Sequence, residues 1–246
     1  MAEKILGVRI DADLRVEALS KVQAFLSDGG QHMIATPNPE MLVDSYKDTY
    51  FRDILNASHL NICDGRGIQF MTRMRVPRIA GADFMQDICS LAASEGKTVY
   101  LLGSGDESVV AECKKQLETT YKKLRIVGVH PGLKITNLES KITYDEEEND
   151  SIIDDIIEKA PDILFVAFGH GKQEKWLYEQ LPHLPSVKIG MGVGGTFDFI
   201  SGKARRAPKC VRNMGFEWLW RFVREPWRFK RIWKATVVFL YIYLKK

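Results

Sequence analysis

Asp162-Ile163-Leu164-Phe165-Val166-Ala167-Phe168 runs straight into Gly169-His170-Gly171 and then into Lys172-Gln173-Glu174-Lys175-Trp176. An apolar run of strand length, a glycine-rich turn and a polar stretch able to coil into a helix make one strand-to-helix unit. The unit recurs. Short β-branched or apolar runs at Ile5 to Ile10, His32 to Ala35, Leu60 to Cys63, Thr98 to Leu102, Arg125 to Val129 and Val187 to Met191 each lead into a turn. Between them, Val16, Leu19, Val22, Ala24 and Leu26, or Phe84, Ile88, Leu91 and Ala92, keep the spacing of a helix with one apolar face. Alternating strands and helices predict an α/β chain with a Rossmann-like, mostly parallel sheet flanked by helices.

In such sheets ligands bind beyond the carboxyl ends of the strands, so the residues just after each strand are the ones to examine. Five loops there are rich in glycine and polar groups. They are Thr36-Pro37-Asn38-Pro39, Asp64-Gly65-Arg66-Gly67, Gly103-Ser104-Gly105-Asp106, Gly169 to Glu174, and Gly192-Val193-Gly194-Gly195-Thr196. Together they are expected to form one pocket.

Each loop has a functional and a structural reading. Asp64, between a strand and Gly65, is placed to accept a proton from a substrate hydroxyl, or it is a turn aspartate bonded to its own backbone. Gly103-x-Gly105 suits a phosphate or sugar contact, or is only a tight turn. Ser108 stands where a dinucleotide fingerprint needs its third glycine. Asp11-Ala12-Asp13 could hold a divalent metal, but an aspartate directly before a helical stretch reads better as its N-cap. The acidic run Asp145 to Asp150 reads as a solvated loop leading into a helix. Of the five histidines only His170, flanked by glycines, stands out. No cofactor and no metal is expected.

The composition, 45% hydrophobic and 27% charged, excludes disordered, collagen-like and coiled-coil chains. No basic start with a long apolar core opens the sequence, and Cys63, Cys89, Cys113 and Cys210 form no C-x-x-C pair. A reduced, cytosolic setting is expected. The net charge of +3 conceals an asymmetry: from Lys203 onward there are 13 Lys and Arg against Glu217 and Glu225. An acidic body therefore carries a basic tail. The tail also holds Trp218, Trp220, Trp227 and Trp233, and its apolar run Ala235 to Leu244 is ten residues, too short for the roughly 20 that span a bilayer. Pro226 is expected to break the tail helix and open a second one. Two readings stay open: a basic amphipathic appendage lying in the membrane interface, or a helix pair packed on the body with its tryptophans in the core.

Taken in order, Thr36-Pro37-Asn38-Pro39-Glu40, Asp64-Gly65-x-Gly67, Arg78-x-x-Gly81-x-Asp83, Lys172 to Trp176, Gly192 to Gly202, Arg206-Ala207-Pro208 and Glu217-Trp218-Leu219-Trp220-Arg221 resemble the WecG/TagA/CpsF family of bacterial glycosyltransferases. The likeness runs from about Ile5 to Trp233. One departure is Gly171, where that family usually has proline before Lys-Gln-Glu.

The resemblance implies an inverting, metal-independent transfer of an N-acetylhexosamine, N-acetylmannosamine or its uronic acid, from a UDP-sugar to polyprenyl-diphosphate-linked GlcNAc. It implies Asp64 as general base with Thr36 beside the reacting sugar. Asn38, Arg78, Asp83 and Gln173 would contact substrate, and Gly192, Gly194 and Gly195 would lie against the nucleotide; Gly103 joins the substrate-binding candidates on its own loop signal. Arg221, Arg228 and Arg231 match the family's functional arginines in an appendage that closes the site at the membrane. Residues 1–202 would then be the glycosyltransferase domain and 203–246 the membrane-associating appendage, peripheral on the cytoplasmic face, with homo-oligomerisation left open. Two rivals from other classes are a nucleic-acid-binding protein using the Arg/Trp tail and a nicotinamide-dependent oxidoreductase.

Overall fold

A computed structural model describes residues 2–138 and 140–245, the side chains of Asn213, Arg221 and Arg228 excepted. The chain opens as an antiparallel hairpin of β1 (Ala2–Ile5) and β2 (Val8–Asp11). The run Ile5 to Ile10 is therefore not one strand of the main sheet. Leu6 and Gly7 fold it back at φ 48° and 88°, the double left-handed turn that suits a two-residue hairpin loop.

Asp11 caps no helix. Its carboxylate accepts the Asn61 N–H at 2.8 Å and pairs with Arg9. Helix α1 (Arg15–Phe25) starts after Leu14, whose N–H donates to Glu17.

The chain then alternates β3 (His32–Ala35), α2 (Pro39–Lys47), α3 (Thr49–Ala57), β4 (Leu60–Asn61), α4 (Arg66–Met71) and α5 (Gly81–Glu95). It continues through β5 (Thr98–Gly103), α6 (Glu107–Thr120) and β6 (Arg125–His130) to a small exposed hairpin, β7 (Thr136–Leu138) and β8 (Lys141–Thr143). Helix α7 (Glu146–Lys159), β9 (Ile163–Ala167), α8 (Lys172–Gln180), β10 (Ile189–Gly192) and α9 (Thr196–Ile200) complete the body. The acidic run expected as a loop is the start of α7. Asp145 accepts the Glu148 N–H, and Glu146 to Glu148 sit in the first turn, where the helix dipole favours negative charge.

Six parallel strands form one sheet in the order β4-β3-β10-β9-β5-β6. The strand period of two decides what each face buries. Val99, Leu101, Ile163 and Phe165 pack with Ala18, Val22, Ile88 and Val110 on one side. Tyr100, Leu102, Leu164 and Val166 pack with Ile54, Ile152, Ile156 and Trp176 on the other. Neighbours β3 and β10 send the chain opposite ways, β3 toward the β4 edge and β10 into α9 against α6. Their tips therefore flank a crevice.

The C-terminal segment comprises α10 (Lys209–Met214), α11 (Glu217–Arg224), a 3₁₀ turn at Pro226–Arg228, α12 (Phe229–Trp233), a π-helical turn at Lys234–Val238 and α13 (Phe239–Leu244). Pro226 does break the helix and opens the next turn. The segment lies along α2. Phe239 is 2% exposed among Met41, Leu42, Cys63 and Ile68, and the Tyr243 hydroxyl donates to the Met71 carbonyl. The tryptophans stay out of the core: Trp218 is 43% exposed, Trp233 49% and Trp227 76%. The tail thus packs on the body along one line through Phe239 and leaves Trp218, Trp227 and Trp233 exposed. Among the described residues no helix is long and apolar enough to cross a membrane.

Candidate active site

Asp64 stands at the floor of a cavity of about 580 Å³ at the carboxyl ends of the strands. Backbone pairing carries it there beyond the end of β4: Ile62 N–H donates to Ala35, and Asp64 N–H to Pro37. Gly65 follows because a Cβ there would come within 2.8 Å of the Pro39 ring. The Asp64 carboxylate accepts the Gly81 N–H at 3.2 Å, an otherwise unpaired donor of the first turn of α5. A Cβ on Gly81 would lie 3.1 Å from the Thr36 methyl and 3.3 Å from the Asp64 carboxylate, so any larger residue would have to push these two side chains aside.

Burial pushes the Asp64 pKa up to about 6, against the opposing pull of Arg78 and the Gly81 N–H. A carboxyl so tuned is ionised at neutral pH yet basic enough to take a proton.

Four of the five glycine loops line the cavity. Thr36 and Asn38 follow β3, with the Asn38 side-chain oxygen Oδ1 capping α2 by accepting the Met41 N–H. Gly194, Gly195 and Thr196 come from β10. Gln173 joins this loop to α8: its carbonyl accepts the Gly194 N–H at 3.0 Å, and its amide donates to Glu174. Gly192 lies under that side chain rather than on the cavity surface, since a Cβ there would meet the Gln173 amide at 2.5 Å. Gly103 does not line the cavity. It ends β5, which β9 separates from β10, and a Cβ on it would sit 2.7 Å from the Ala167 backbone.

Gly171 takes φ +80° and donates its N–H to Glu174 at 2.7 Å, two things proline cannot do. In the same motif Lys175 and Trp176 are core residues. The Lys175 ammonium is buried against Asp48 and Asn137, and the Trp176 ring N–H donates to Asn149.

The second wall is cationic and comes from far along the chain. Arg78 donates to the Arg212 carbonyl at 3.1 Å and faces Glu217 at 3.8 Å. Arg206 donates to Asp83 at 2.6 Å and to Glu217 at 3.3 Å. Asp83 itself is absent from the lining and anchors Arg206 and Arg212. Burial alone would raise its pKa, but the hydrogen bond and charge of Arg206 outweigh burial and hold it low. Neither Arg206 nor Glu217 carries a local signal of this role. Both lie in quoted motifs, and that is the only mark the sequence puts on them.

At the mouth, Arg231 donates three hydrogen bonds to the Glu40 carboxylate at 2.9 to 3.1 Å and one to His170 Nδ1 at 3.2 Å. His170 Nε2 in turn meets Asp44 at 3.0 Å, and Lys234 pairs with Asp44. Glu40, Asp44 and His170 are close enough together to hold a metal ion, and here they engage the cations of the tail. Burial pushes Asp44 up, but His170 and Lys234 outweigh it and hold its pKa low. The rest of the mouth is apolar, with Phe70, Met71, Ile232, Ala235, Phe239 and Leu240. The side chains of Arg221 and Arg228 lie outside the described residues.

Comparison with known proteins gives two findings. The glycosyl transferase WecG/TagA/CpsF family model matches residues 3–246. Over 204 residues, 81% of this chain and 74% of the relative, the sequence is 29% identical to an N-acetylglucosaminyldiphosphoundecaprenol N-acetyl-beta-D-mannosaminyltransferase of Bacillus subtilis (strain 168).

Proposed function

Since the chain belongs to the WecG/TagA/CpsF family and is a glycosyltransferase, we propose that it transfers an N-acetylhexosamine from a UDP-sugar to a polyprenyl-diphosphate-linked GlcNAc. The sugar is N-acetylmannosamine or its uronic acid, and the anomeric carbon is inverted. The relative's name, which joins an N-acetylmannosaminyl group to a diphosphoundecaprenol-linked N-acetylglucosamine, supports this substrate pair. Membership of a glycosyltransferase family argues against the oxidoreductase reading.

The observation that carries the mechanism is Asp64, a carboxylate with its pKa near 6 on the floor of the cavity that Arg78 and Arg231 also line. In this reading the acceptor hydroxyl gives its proton to Asp64 as its oxygen attacks the anomeric carbon. The bond from that carbon to the diphosphate breaks on the opposite face, and UDP leaves with the electron pair. General-base help of this kind contributes about 10²–10⁴-fold. The charge gathering on the diphosphate needs cationic donors already in place, and the arginine wall supplies them. Thr36, in contact with Gly81 beside Asp64, would abut the reacting sugar.

The lipid end of the acceptor fits the apolar mouth and the exposed aromatic rings of the tail. These suit an enzyme peripheral to the cytoplasmic face of the membrane, with residues 203–246 as the attaching appendage. Six cations between Arg221 and Lys234 would add at most ~6 kcal/mol at an anionic surface.

The test is a panel of UDP-sugars offered with a short-chain GlcNAc-diphosphate-lipid, following UDP release with and without chelator. UDP-N-acetylmannosamine or its uronic acid is expected to be consumed with chelator present. Release only from other donors, or only without chelator, overturns the reading.

A further inference from the structure

Glu217 occupies a position that its role as the first residue of α11 does not require. Its carboxylate spans two guanidinium groups on the cavity wall, Arg206 Nε at 3.3 Å and Arg78 Nη2 at 3.8 Å, and all three residues line the cavity that holds Asp64. Each arginine is fixed along its other edge by the protein. Arg206 is held by Asp83 at 2.6 Å, and Arg78 by the Arg212 carbonyl at 3.1 Å. The edges turned toward Glu217 are the loosely satisfied ones, because 3.3 and 3.8 Å are long for charge-assisted bonds.

Two arginines anchored from behind, with their free edges converging on one carboxylate, match the geometry that grips a phosphate. A diphosphate carries more charge and more acceptor oxygens than one carboxylate.

We propose that Glu217 is an internal competitor for a diphosphate subsite formed by Arg78 and Arg206, and that it yields when the diphosphate binds. The inference rests on the UDP-sugar reading above and adds Arg206 and Glu217 to it. Because Glu217 begins α11 and Trp218 follows it on the cavity wall, releasing the carboxylate frees the start of α11 and so loosens the C-terminal segment beyond it. Donor binding and the position of that segment are then coupled, and by linkage each affects the other equally. A carboxylate that merely anchored α11 would give no such coupling.

The experiment measures binding of UDP, inorganic pyrophosphate and uridine to the full-length protein by calorimetry. Glu217→Gln is expected to tighten UDP and pyrophosphate by about fivefold or more and to leave uridine, which has no phosphate, unchanged. Arg206→Gln is expected to weaken both phosphate ligands by about tenfold or more. In the Arg206→Gln background the gain from Glu217→Gln shrinks, as it must for residues sharing one partner. Glu217→Asp keeps the charge on a shorter arm and gives a smaller gain of the same sign, which serves if the glutamine variant melts early. Unchanged or weaker pyrophosphate binding by both Glu217 variants overturns the competitor, even where the wild-type protein transfers sugar normally. Failure of the wild-type protein to bind UDP or consume any UDP-sugar overturns the donor reading, and this inference with it.

Discussion

The two walls of the cavity are built by different physics. On the sheet side, Thr36 and Gln173 are buried, and side-chain and backbone hydrogen bonds lock the loops to one another, as Gln173 does with Gly194 and Asp64 with Gly81. On the C-terminal side, Trp218 and Leu240 line the same cavity yet remain half exposed, and the segment is held by ion pairs at Glu40, Asp44 and Asp83 around one buried ring, Phe239. A buried hydrogen-bonded frame keeps a base within the narrow tolerance that proton transfer needs. Partly exposed ion pairs hold a surface in place but let go at small cost. In the proposed function the rigid wall would serve the chemistry, and the more loosely held one would open, close and meet the lipid.

The comparison breaks if changes on the two sides have alike effects. The largest expected effect is on the sheet side. Asp64→Asn should lower transfer by about 10²–10⁴-fold with UDP binding and the melting profile retained. Near-normal turnover of that variant would move the base elsewhere.

The pH profile sharpens the same point. Asp64 must be ionised to accept a proton, and burial has raised its pKa to about 6, so turnover should fall about tenfold per unit as pH drops below that value. A profile flat down to about pH 5 would contradict the burial of a working base.

Changes on the other wall should be milder and should depend on lipid. Trp227, the most exposed ring of the tail, is expected to insert into an anionic bilayer, so Trp227→Ser should weaken co-sedimentation with phosphatidylglycerol vesicles by about tenfold while leaving UDP binding unchanged. Smallest is Glu40→Gln, which removes the negative charge that Arg231 faces. A fall of about fivefold in transfer to lipid-linked acceptor is expected, shrinking in high salt, which already screens the half-exposed Arg231 guanidinium. If Glu40→Gln cost as much as Asp64→Asn, the second wall would be as rigidly required as the first.

Much of the sheet wall was legible in the sequence. A strand that runs into a polar or glycine-rich turn marks a strand tip, which points to Thr36 and Asp64, while Gln173 is marked only by its place in a motif; all three line one cavity. Gly103 carried the same local signal and stands elsewhere, because its strand is two places removed from β10. Asp83 had only its place in a motif, which does not say that its carboxylate turns to Arg206, 123 residues away. Gly192 and Lys175 likewise sit in motifs yet act through packing. The early hairpin was hidden because an apolar run gives no sign of a left-handed Leu6-Gly7 turn within it.

By itself the sequence determined the alternation of strands and helices, the α/β class, the charge split between body and tail, and the break at Pro226. These are local properties, fixed by residue period, backbone restriction and composition. Only the tertiary structure decided which strand tips are neighbours, that Arg78, Arg206 and Glu217 converge on one wall, and that Arg231 reaches Glu40 across 191 residues. Strand order and ion pairing depend on which distant surfaces meet once the core is buried, and no periodicity along the chain encodes that meeting.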